Sequence, residues 1–175
     1  MPINVPIAIL LFVSLALLAS VSWTALLGAP WQGVSLDRAR KMMRMAGVTK
    51  KDLVYDLGFG DGRILFTAKE FGAKAKGVEI DPLRYAGTWI YSKIKREKVS
   101  LKFGSVYGAD LRGATVVTIF LSNFANRLLE RKLKKELKKG TRVVTYYWQF
   151  KGWKPSKVDK RLKLYMYEIG KSTKT

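Results

Sequence analysis

A long apolar stretch near the start of the chain carries no charged side chain. Val5–Leu27 spans 23 residues, and Asp37 is the first charged residue of the sequence. A helix of that length measures roughly 34 Å at about 1.5 Å per residue, which is enough to cross a hydrocarbon core of about 30 Å. The pattern predicts a transmembrane helix within residues 1–28, a linker over residues 29–36 and a folded domain over residues 37–175.

The charges that follow the apolar stretch predict its orientation. The first four basic residues of the chain are Arg38, Arg40, Lys41 and Arg44. Basic flanks of a membrane span remain on the cytoplasmic side. We therefore expect a single-pass protein of the cell membrane whose folded domain faces the cytoplasm.

Beyond this stretch, short apolar runs alternate with amphipathic segments. The predicted strands are Leu53–Leu57, Ala75–Ile80, Val99–Phe103, Ala114–Leu121 and Thr141–Phe150, with a closing hairpin through Val158 and Leu162–Ile169. The predicted helices cover residues 36–46, 63–71, 82–95 and 125–139. Strands that alternate with helices at this spacing form right-handed βαβ units. The pattern predicts one α/β domain with a mostly parallel, Rossmann-like sheet.

A glycine-rich loop follows the first predicted strand. Gly58, Gly60 and Gly62 allow a tight backbone bend and a close approach of a ligand. Their spacing is G-x-G-x-G, whereas the dinucleotide fingerprint is G-x-G-x-x-G. Asp56 and Asp61 flank the loop, and carboxylates there would repel a pyrophosphate. A ligand with cationic centres fits better, and S-adenosylmethionine has both an ammonium and a sulfonium group.

Two further segments complete the predicted cofactor site. Glu79 ends the second strand, 23 residues after Asp56, where an acidic side chain can accept hydrogen bonds from ribose hydroxyls. Ile80, the next residue, is also predicted to contact the cofactor. After the third strand, Ser105 and Val106 are placed to meet the adenine edge. Together these residues predict S-adenosylmethionine as the cofactor.

Composition narrows the chemistry further. The sequence has no Cys and no His, which excludes disulfides, thiolate metal sites and histidine acid–base catalysis, and no metal site is predicted. The formal net charge is +20, so the domain favours anionic surroundings such as lipid head groups. A lysine-rich surface can also serve solubility alone. Low Cys, Asn and Gln content is typical of heat-adapted proteins.

Three segments resemble a known family. VYDLGFGDGRILFTAKEFGAKAKGVEID is similar to the cofactor half of the class I methyltransferases, and GATVVTIFL and LERKLKKELKKGTRVVTYYWQFKGW narrow the likeness. The chain resembles the small archaeal protein lysine methyltransferases and their mitochondrial relatives from about residue 31 to residue 170. The resemblance implies a seven-stranded sheet with an antiparallel last strand and transfer of methyl groups to lysine ε-amines of proteins.

The resemblance also assigns roles to particular residues. It implies that the cofactor is bound by Asp56, Gly58, Gly60 and Glu79. It implies that the loop facing the transferred methyl group begins with Phe120, Leu121 and Ser122. Both sets fall on the loops that the strand pattern places at the carboxyl ends of the strands.

Candidates for orienting the acceptor amine follow the fourth and fifth strands. They are Ser122, Asn123, Tyr146 and Trp148. Each has a structural alternative: Tyr146 and Trp148 share one face of the predicted strand and can be core residues, and Asn123 can be a helix N-cap. Methyl transfer from a sulfonium mainly requires alignment of a neutral amine with the methyl group.

Three other functions remain open at the level of sequence. A phospholipid head-group N-methyltransferase would share the membrane helix, the basic surface and the cofactor. A nucleic-acid methyltransferase is less favoured, since Leu121–Phe124 lacks the Asn/Asp-Pro-Pro-Tyr/Phe motif of base-amine methylation, and no nucleic-acid partner is expected. A non-catalytic basic scaffold would have no use for the acidic side chains at the first two strand ends.

Overall fold

The computed structural model describes residues 4–26 and 33–173. The helices are α1 (Val5–Leu26), α2 (Leu36–Ala46), α3 (Arg63–Glu70), α4 (Pro82–Ile94) and α5 (Asn123–Glu136), with a short 3-10 turn at Val106–Gly108. The strands are β1 (Leu53–Leu57), β2 (Lys74–Glu79), β3 (Val99–Phe103), β4 (Val116–Ile119), β5 (Arg142–Tyr146), β6 (Lys157–Asp159) and β7 (Leu164–Glu168).

The seven strands form one mixed sheet in the order β3-β2-β1-β4-β5-β7-β6. β1 pairs in parallel with both β2 and β4, and β7 runs antiparallel to β5 and β6. The predicted α/β class with a mostly parallel sheet and an antiparallel last strand is therefore confirmed. The order reverses at β1, so the carboxyl ends of β1 and β4 flank the crevice in which such sheets bind ligands.

Several predicted boundaries were wrong: β4 covers only Val116–Ile119 of the predicted Ala114–Leu121, and α5 ends at Glu136 instead of at residue 139. Two other differences have clear local reasons. β5 ends at Tyr146 instead of continuing to Phe150, because Tyr147 turns the backbone with a φ of 69°. Helix α5 begins at Asn123 instead of Ala125, because the Ser122 hydroxyl accepts a hydrogen bond from the Ala125 N–H and caps the helix.

The apolar N-terminal stretch forms the predicted helix, α1. Within the part of the chain that the structure describes, however, no helix has the length and apolar character needed to cross a bilayer. The predicted transmembrane span is therefore not confirmed. Residues 29–32 of the predicted linker lie outside the described residues, whereas Val34 is buried in the core of the domain.

The sheet carries a hydrophobic layer on each face. Val54 of β1 packs with residues of α2 and α3 on one face, and its neighbour Tyr55 packs with Leu129 and Leu133 of α5 on the other. This alternation follows from the two-residue period of a strand. Because helices cover both faces of the sheet, a ligand can reach it only at the ends of the strands.

A network of charged and polar side chains lies at the amino-terminal ends of the parallel strands. The Asp52 carboxylate accepts hydrogen bonds from the Thr49 backbone N–H (2.8 Å) and the Thr115 hydroxyl (2.7 Å), and it is also paired with the Arg142 guanidinium. Arg142 further donates to the Ala46 carbonyl at the end of α2 (2.6 Å). Burial alone would raise the pKa of Asp52, but these hydrogen bonds and the arginine charge outweigh burial and lower it.

We predict that Arg142→Leu destabilises the fold by about 2–3 kcal/mol, because it leaves the nearly buried Asp52 carboxylate without its cation. Urea denaturation at neutral pH measures this change. Arg112→Leu is the matched control, since Arg112 pairs with Asp110 on the open surface and its loss should change stability little. Equal effects of the two substitutions would contradict the structural role given to Arg142.

Candidate active site

The glycine loop between β1 and α3 wraps over the end of β2. The Gly58 and Phe59 N–H groups both donate to the Val78 carbonyl, at 2.9 and 3.2 Å. Gly58, Gly60 and Gly62 all have positive φ values, of 81°, 55° and 77°. A Cβ atom on Gly62 would lie 2.5 Å from the side chain of Thr88. The backbone conformation thus favours glycine at all three positions, and the close approach of α4 also requires it at Gly62.

Glu79 joins the glycine loop to the turn after β2. One carboxylate oxygen accepts the Gly60 N–H at 2.8 Å, and the other accepts the Ile80 and Asp81 N–H groups, each at 2.9 Å. The side chain is only 5% exposed. A carboxylate has about four acceptor positions, so three bonds leave about one for a ligand hydroxyl. Glu79 therefore holds the backbone of the predicted cofactor site in place and also keeps an acceptor position for the cofactor.

Asp56 is buried at the end of β1, between the neighbouring strands. Its carboxylate accepts a hydrogen bond from the Thr118 hydroxyl of β4 at 2.7 Å. Burial raises the pKa of Asp56 to about 7, opposed by the Thr118 hydrogen bond and assisted by the negative charges of Glu79 and Asp61. A cationic group placed beside Asp56 would favour its ionised form. The donor set therefore fits a ligand that carries an ammonium group.

Asp61 lies on the loop as predicted, but its carboxylate is engaged by Arg63. The Arg63 Nε atom lies 2.9 and 2.8 Å from the two Asp61 oxygens, and the guanidinium also donates to the Val34 carbonyl at 2.6 Å. Asp61 thus anchors the loop to the segment before α2. Sequence reasoning missed Arg63, although an acid and an arginine two residues apart are an available local pair.

Three other residues that support the loop were not predicted. The Thr88 hydroxyl of α4 donates to the Gly60 carbonyl at 2.9 Å. Asp81, fully buried, caps α4 by accepting the Arg84 N–H. A Cβ atom on Gly77 would lie 2.9 Å from the Phe59 ring, so a glycine is needed inside β2. An isolated glycine within a strand signals such close packing.

The loop after β3 lies beside the same strand end. The Gly104 N–H donates to the Glu79 carbonyl at 2.9 Å, which holds the loop against β2. The predicted Ser105 caps the following short turn by accepting the Tyr107 N–H, and Val106 packs against the α5 side of the core. Of these two residues, Val106 presents the apolar surface that an aromatic base requires.

The end of β4 meets the glycine loop directly. Leu121 approaches Gly58 so closely that a Cβ atom there would lie 3.1 Å from the leucine side chain. Phe120 packs against the Tyr146 ring of β5 in a tilted arrangement, with ring centroids 4.3 Å apart. Ser122 caps α5, so the alternative assignment of Asn123 as the N-cap is wrong, and Asn123 is the first residue of the helix.

An aromatic cluster follows β5. Tyr147 has a φ of 69°, and the Trp148 N–H donates to the Tyr146 carbonyl at 2.9 Å, which together describe a γ-turn of the rare, strained type. Tyr146 and Trp148 therefore do not share a strand face, contrary to the sequence-based expectation. The Tyr147 and Trp148 rings lie 4.9 Å apart and both are partly exposed. Strained backbone of this kind is concentrated at functional sites.

Two cations lie against this cluster. The Lys163 ammonium is 4.3 Å from the centre of the Tyr147 ring, and the Arg38 guanidinium is 4.3 Å from the centre of the Tyr146 ring. The Asn126 side chain of α5 donates to the Trp148 carbonyl at 3.4 Å. The aromatic faces beyond β5 thus accept cationic side chains in the structure itself.

Several lysine methyltransferases are similar to this chain in sequence. A protein-lysine N-methyltransferase of Saccharolobus islandicus is 43% identical over 141 residues, which cover 75% of this chain and 88% of the relative. A human lysine N-methyltransferase named for a component of ATP synthase is 32% identical over 140 residues, and the mouse adenine nucleotide translocase lysine N-methyltransferase is 29% identical over 132 residues. Each of these two matches covers 74% of this chain, but only 56% and 57% of the respective animal protein.

Solved structures show the same fold. An RNA methyltransferase from Salinibacter ruber, crystallised with S-adenosyl-L-homocysteine, superposes with a TM-score of 0.75 at 32% identity and covers 79% of this chain and 94% of its own. The profile of the ANTKMT methyltransferase domain matches residues 56–157. These matches confirm the predicted family, the enzymatic function and the cofactor. The chain belongs to the ANTKMT methyltransferase family of S-adenosylmethionine-dependent class I methyltransferases.

Proposed function

We propose that the protein transfers methyl groups from S-adenosylmethionine to lysine ε-amines of other proteins. The observation that carries this proposal is the aromatic cluster beyond β5, where the ε-ammonium of Lys163 lies 4.3 Å from the centre of the Tyr147 ring. Aromatic faces attract alkylammonium groups. The relatives named as lysine methyltransferases support the same acceptor class.

The residues at the strand ends divide the work of binding. Glu79 offers its remaining acceptor position to a ribose hydroxyl, and Asp56 offers a buried carboxylate to a cationic group. When bound, S-adenosylmethionine supplies an activated methyl group and a neutral thioether leaving group. Val106 and Leu121 supply apolar contacts on either side of the glycine loop.

The substrate lysine must react as an uncharged amine. A lysine in water has a pKa near ~10.4, so it loses a proton before it can attack a methyl group. Apolar surroundings disfavour the charged amine and lower its pKa. Phe120, Tyr146 and Trp148 provide such surroundings next to the loop, while the Ser122 and Asn123 side chains remain candidates for orienting the lone pair. Alignment of the amine with the methyl group is then the principal contribution of the protein.

Attachment to a membrane is a further part of the proposal. It is supported by the absence of charge before Asp37 and by the exposure of large apolar side chains along α1, including Val5, Leu10, Phe12, Leu15 and Leu18. The basic residues that follow favour placement of the catalytic domain on the cytoplasmic side of the cell membrane. Recovery of the native chain in membranes after a high-salt wash supports this location, and its release by the wash would overturn it.

The acceptor class is tested with membranes and labelled S-adenosylmethionine. We expect the labelled methyl group in protein, and loss of most of the label with Glu79→Gln. In the parent protein, both carboxylate oxygens of Glu79 accept backbone N–H groups, so the amide NH₂ of the variant must face at least one of these donors. This mismatch should weaken cofactor binding by about 10- to 100-fold. Glu97→Gln, on the exposed segment after α4, is the matched control.

The destination of the label separates the alternatives. Label in extracted lipid would favour a head-group methyltransferase. Label in RNA would favour the activity named for the Salinibacter ruber relative. Either result, with no label in protein, would overturn the lysine proposal while leaving the cofactor site intact.

We predict that Asp56→Asn stabilises the cofactor-free protein above pH 7, by about 2 kcal/mol, yet weakens cofactor binding. The folded-state pKa of Asp56, about 7, lies above its usual value near 3.8, so its contribution favours folding at low pH and is lost as the pH rises through 7. Thermal unfolding at pH 5 and pH 8, with calorimetric titration of cofactor, measures both effects. Asp110→Asn, at an exposed site, should do neither.

We predict that Tyr147→Asn raises the KM for a lysine-rich peptide acceptor about fivefold and leaves the Kd for the cofactor unchanged. Asparagine tolerates positive φ, so the turn is kept while the ring, worth about 1 kcal/mol of cation–π attraction, is removed. Tyr91→Asn on α4 is the control, since Tyr91 is 46% exposed against 44% for Tyr147. An unchanged KM would exclude the Tyr147 ring from acceptor binding.

A further inference from the structure

Helix α4 presents an apolar face to solvent. Thr88 and Ser92 are buried against the sheet, whereas Ile90 and Ile94 are exposed, Ile94 by 72%. Two residues correspond to about 200° on a helix of 3.6 residues per turn, so the isoleucines lie opposite the buried positions. Leu83 lies on the same outward face, two helical turns before Ile90. This face has no role in the proposed methyl transfer.

Aromatic and basic side chains border the apolar face on both sides. The Lys93 ammonium lies 5.7 Å from the centre of the Trp89 ring, and the Lys95 ammonium lies 5.9 Å from the centre of the Tyr91 ring. We call the surface formed by Leu83, Ile90, Ile94 and these two pairs the α4 outer face. Apolar centre, aromatic border and basic rim are the features of a helix that lies in a membrane interface.

A basic groove adjoins the end of the α4 outer face. It has a volume of about 1080 Å³ and lies between α4 and the first residues of β2 and β3, at the edge of the sheet opposite the glycine loop. Six of its lining residues are basic: Lys69, Lys74, Lys76, Lys93, Arg96 and Lys98. Glu97 is its single acidic lining residue among the described residues. The groove therefore carries a strong positive charge beside an exposed apolar helix.

We propose that the α4 outer face and its basic groove dock the domain flat on an anionic lipid surface. Ile90 and Ile94 would enter the interface, and the lysines would meet the phosphate groups of the lipids, to which basic side chains near a charged membrane are attracted. α1, whose described side chains are largely exposed and apolar, contacts α4. The N-terminal helix thus lies next to the helix that carries the proposed docking face. The proposed docking on lipid does not depend on which acceptor the enzyme methylates.

The absence of cysteine allows a local test on the full chain. Ile94→Cys carries an environment-sensitive fluorophore, and Leu128→Cys, 50% exposed on α5 across the sheet, carries the same label as control. Vesicles of phosphatidylcholine with phosphatidylglycerol should shift the emission at position 94 to the blue and leave position 128 unchanged. Vesicles of phosphatidylcholine alone should shift neither. Attachment through α1 alone would leave position 94 in water and overturn the proposal.

Charge reversal tests the electrostatic part. Lys93→Glu with Lys95→Glu should raise the half-saturating concentration of anionic vesicles by more than about 30-fold, measured at the labelled position 94. Arg131→Glu with Lys135→Glu on α5 changes the net charge equally and should leave it near the parent value. Equal effects of the two pairs would overturn docking through α4.

Other occupants of this face give different signals. A blue shift at position 94 that grows with protein concentration and needs no lipid would assign the face to a second copy of the chain. A shift produced by single-stranded RNA and not by anionic vesicles would assign it to nucleic acid. Either outcome overturns the lipid proposal, and neither bears on methyl transfer to lysine.

Discussion

The cofactor edge of this protein depends on one carboxylate that is bound almost entirely by backbone. Glu79 accepts N–H groups from Gly60 on one side and from Ile80 and Asp81 on the other. These bonds fix the glycine loop and the start of α4 relative to each other. Because buried N–H groups require partners, removal of the carboxylate would leave both segments unsatisfied. If Glu79 binds the cofactor as proposed, ligand recognition and local folding depend on the same side chain.

The second carboxylate works by a different principle. Asp56 accepts a hydrogen bond from the Thr118 hydroxyl, and burial holds its pKa at about 7. It is thus an unfavourable place for charge until a cation arrives. Glu79 is pre-organised by backbone donors, and a cation beside Asp56 would favour its ionised form. Both carboxylates therefore suit the proposed binding of a cationic nucleoside better than that of an anionic one. The aromatic cluster beyond β5 also contacts a cation, because the Lys163 ammonium lies over the Tyr147 ring.

Sequence reasoning located what is encoded locally. The glycine spacing and the acidic end of β2 lie within 24 residues, and the structure brings them together. The turn at Tyr147 could not be foreseen, because Tyr and Trp have high strand propensity and the apolar run continues through them. Asp61 was predicted to bind the cofactor, and its pairing with Arg63 was not foreseen. The outward apolar face of α4 was not predicted, because periodicity places the apolar side of a helix against the core, whereas here Thr88 and Ser92 are buried and Ile90 and Ile94 are exposed.

Arg63 gives the glycine loop a mechanical connection to the N-terminal part of the chain. Its guanidinium binds Asp61 within the loop and the carbonyl of Val34, which is itself a core residue ahead of the first helix of the domain. A shortened chain that starts at α2 would remove that carbonyl and leave the guanidinium with one anchor. A displacement of the segment before α2 would therefore act on the glycine loop directly through Arg63, in addition to its effect on the core in which Val34 is packed.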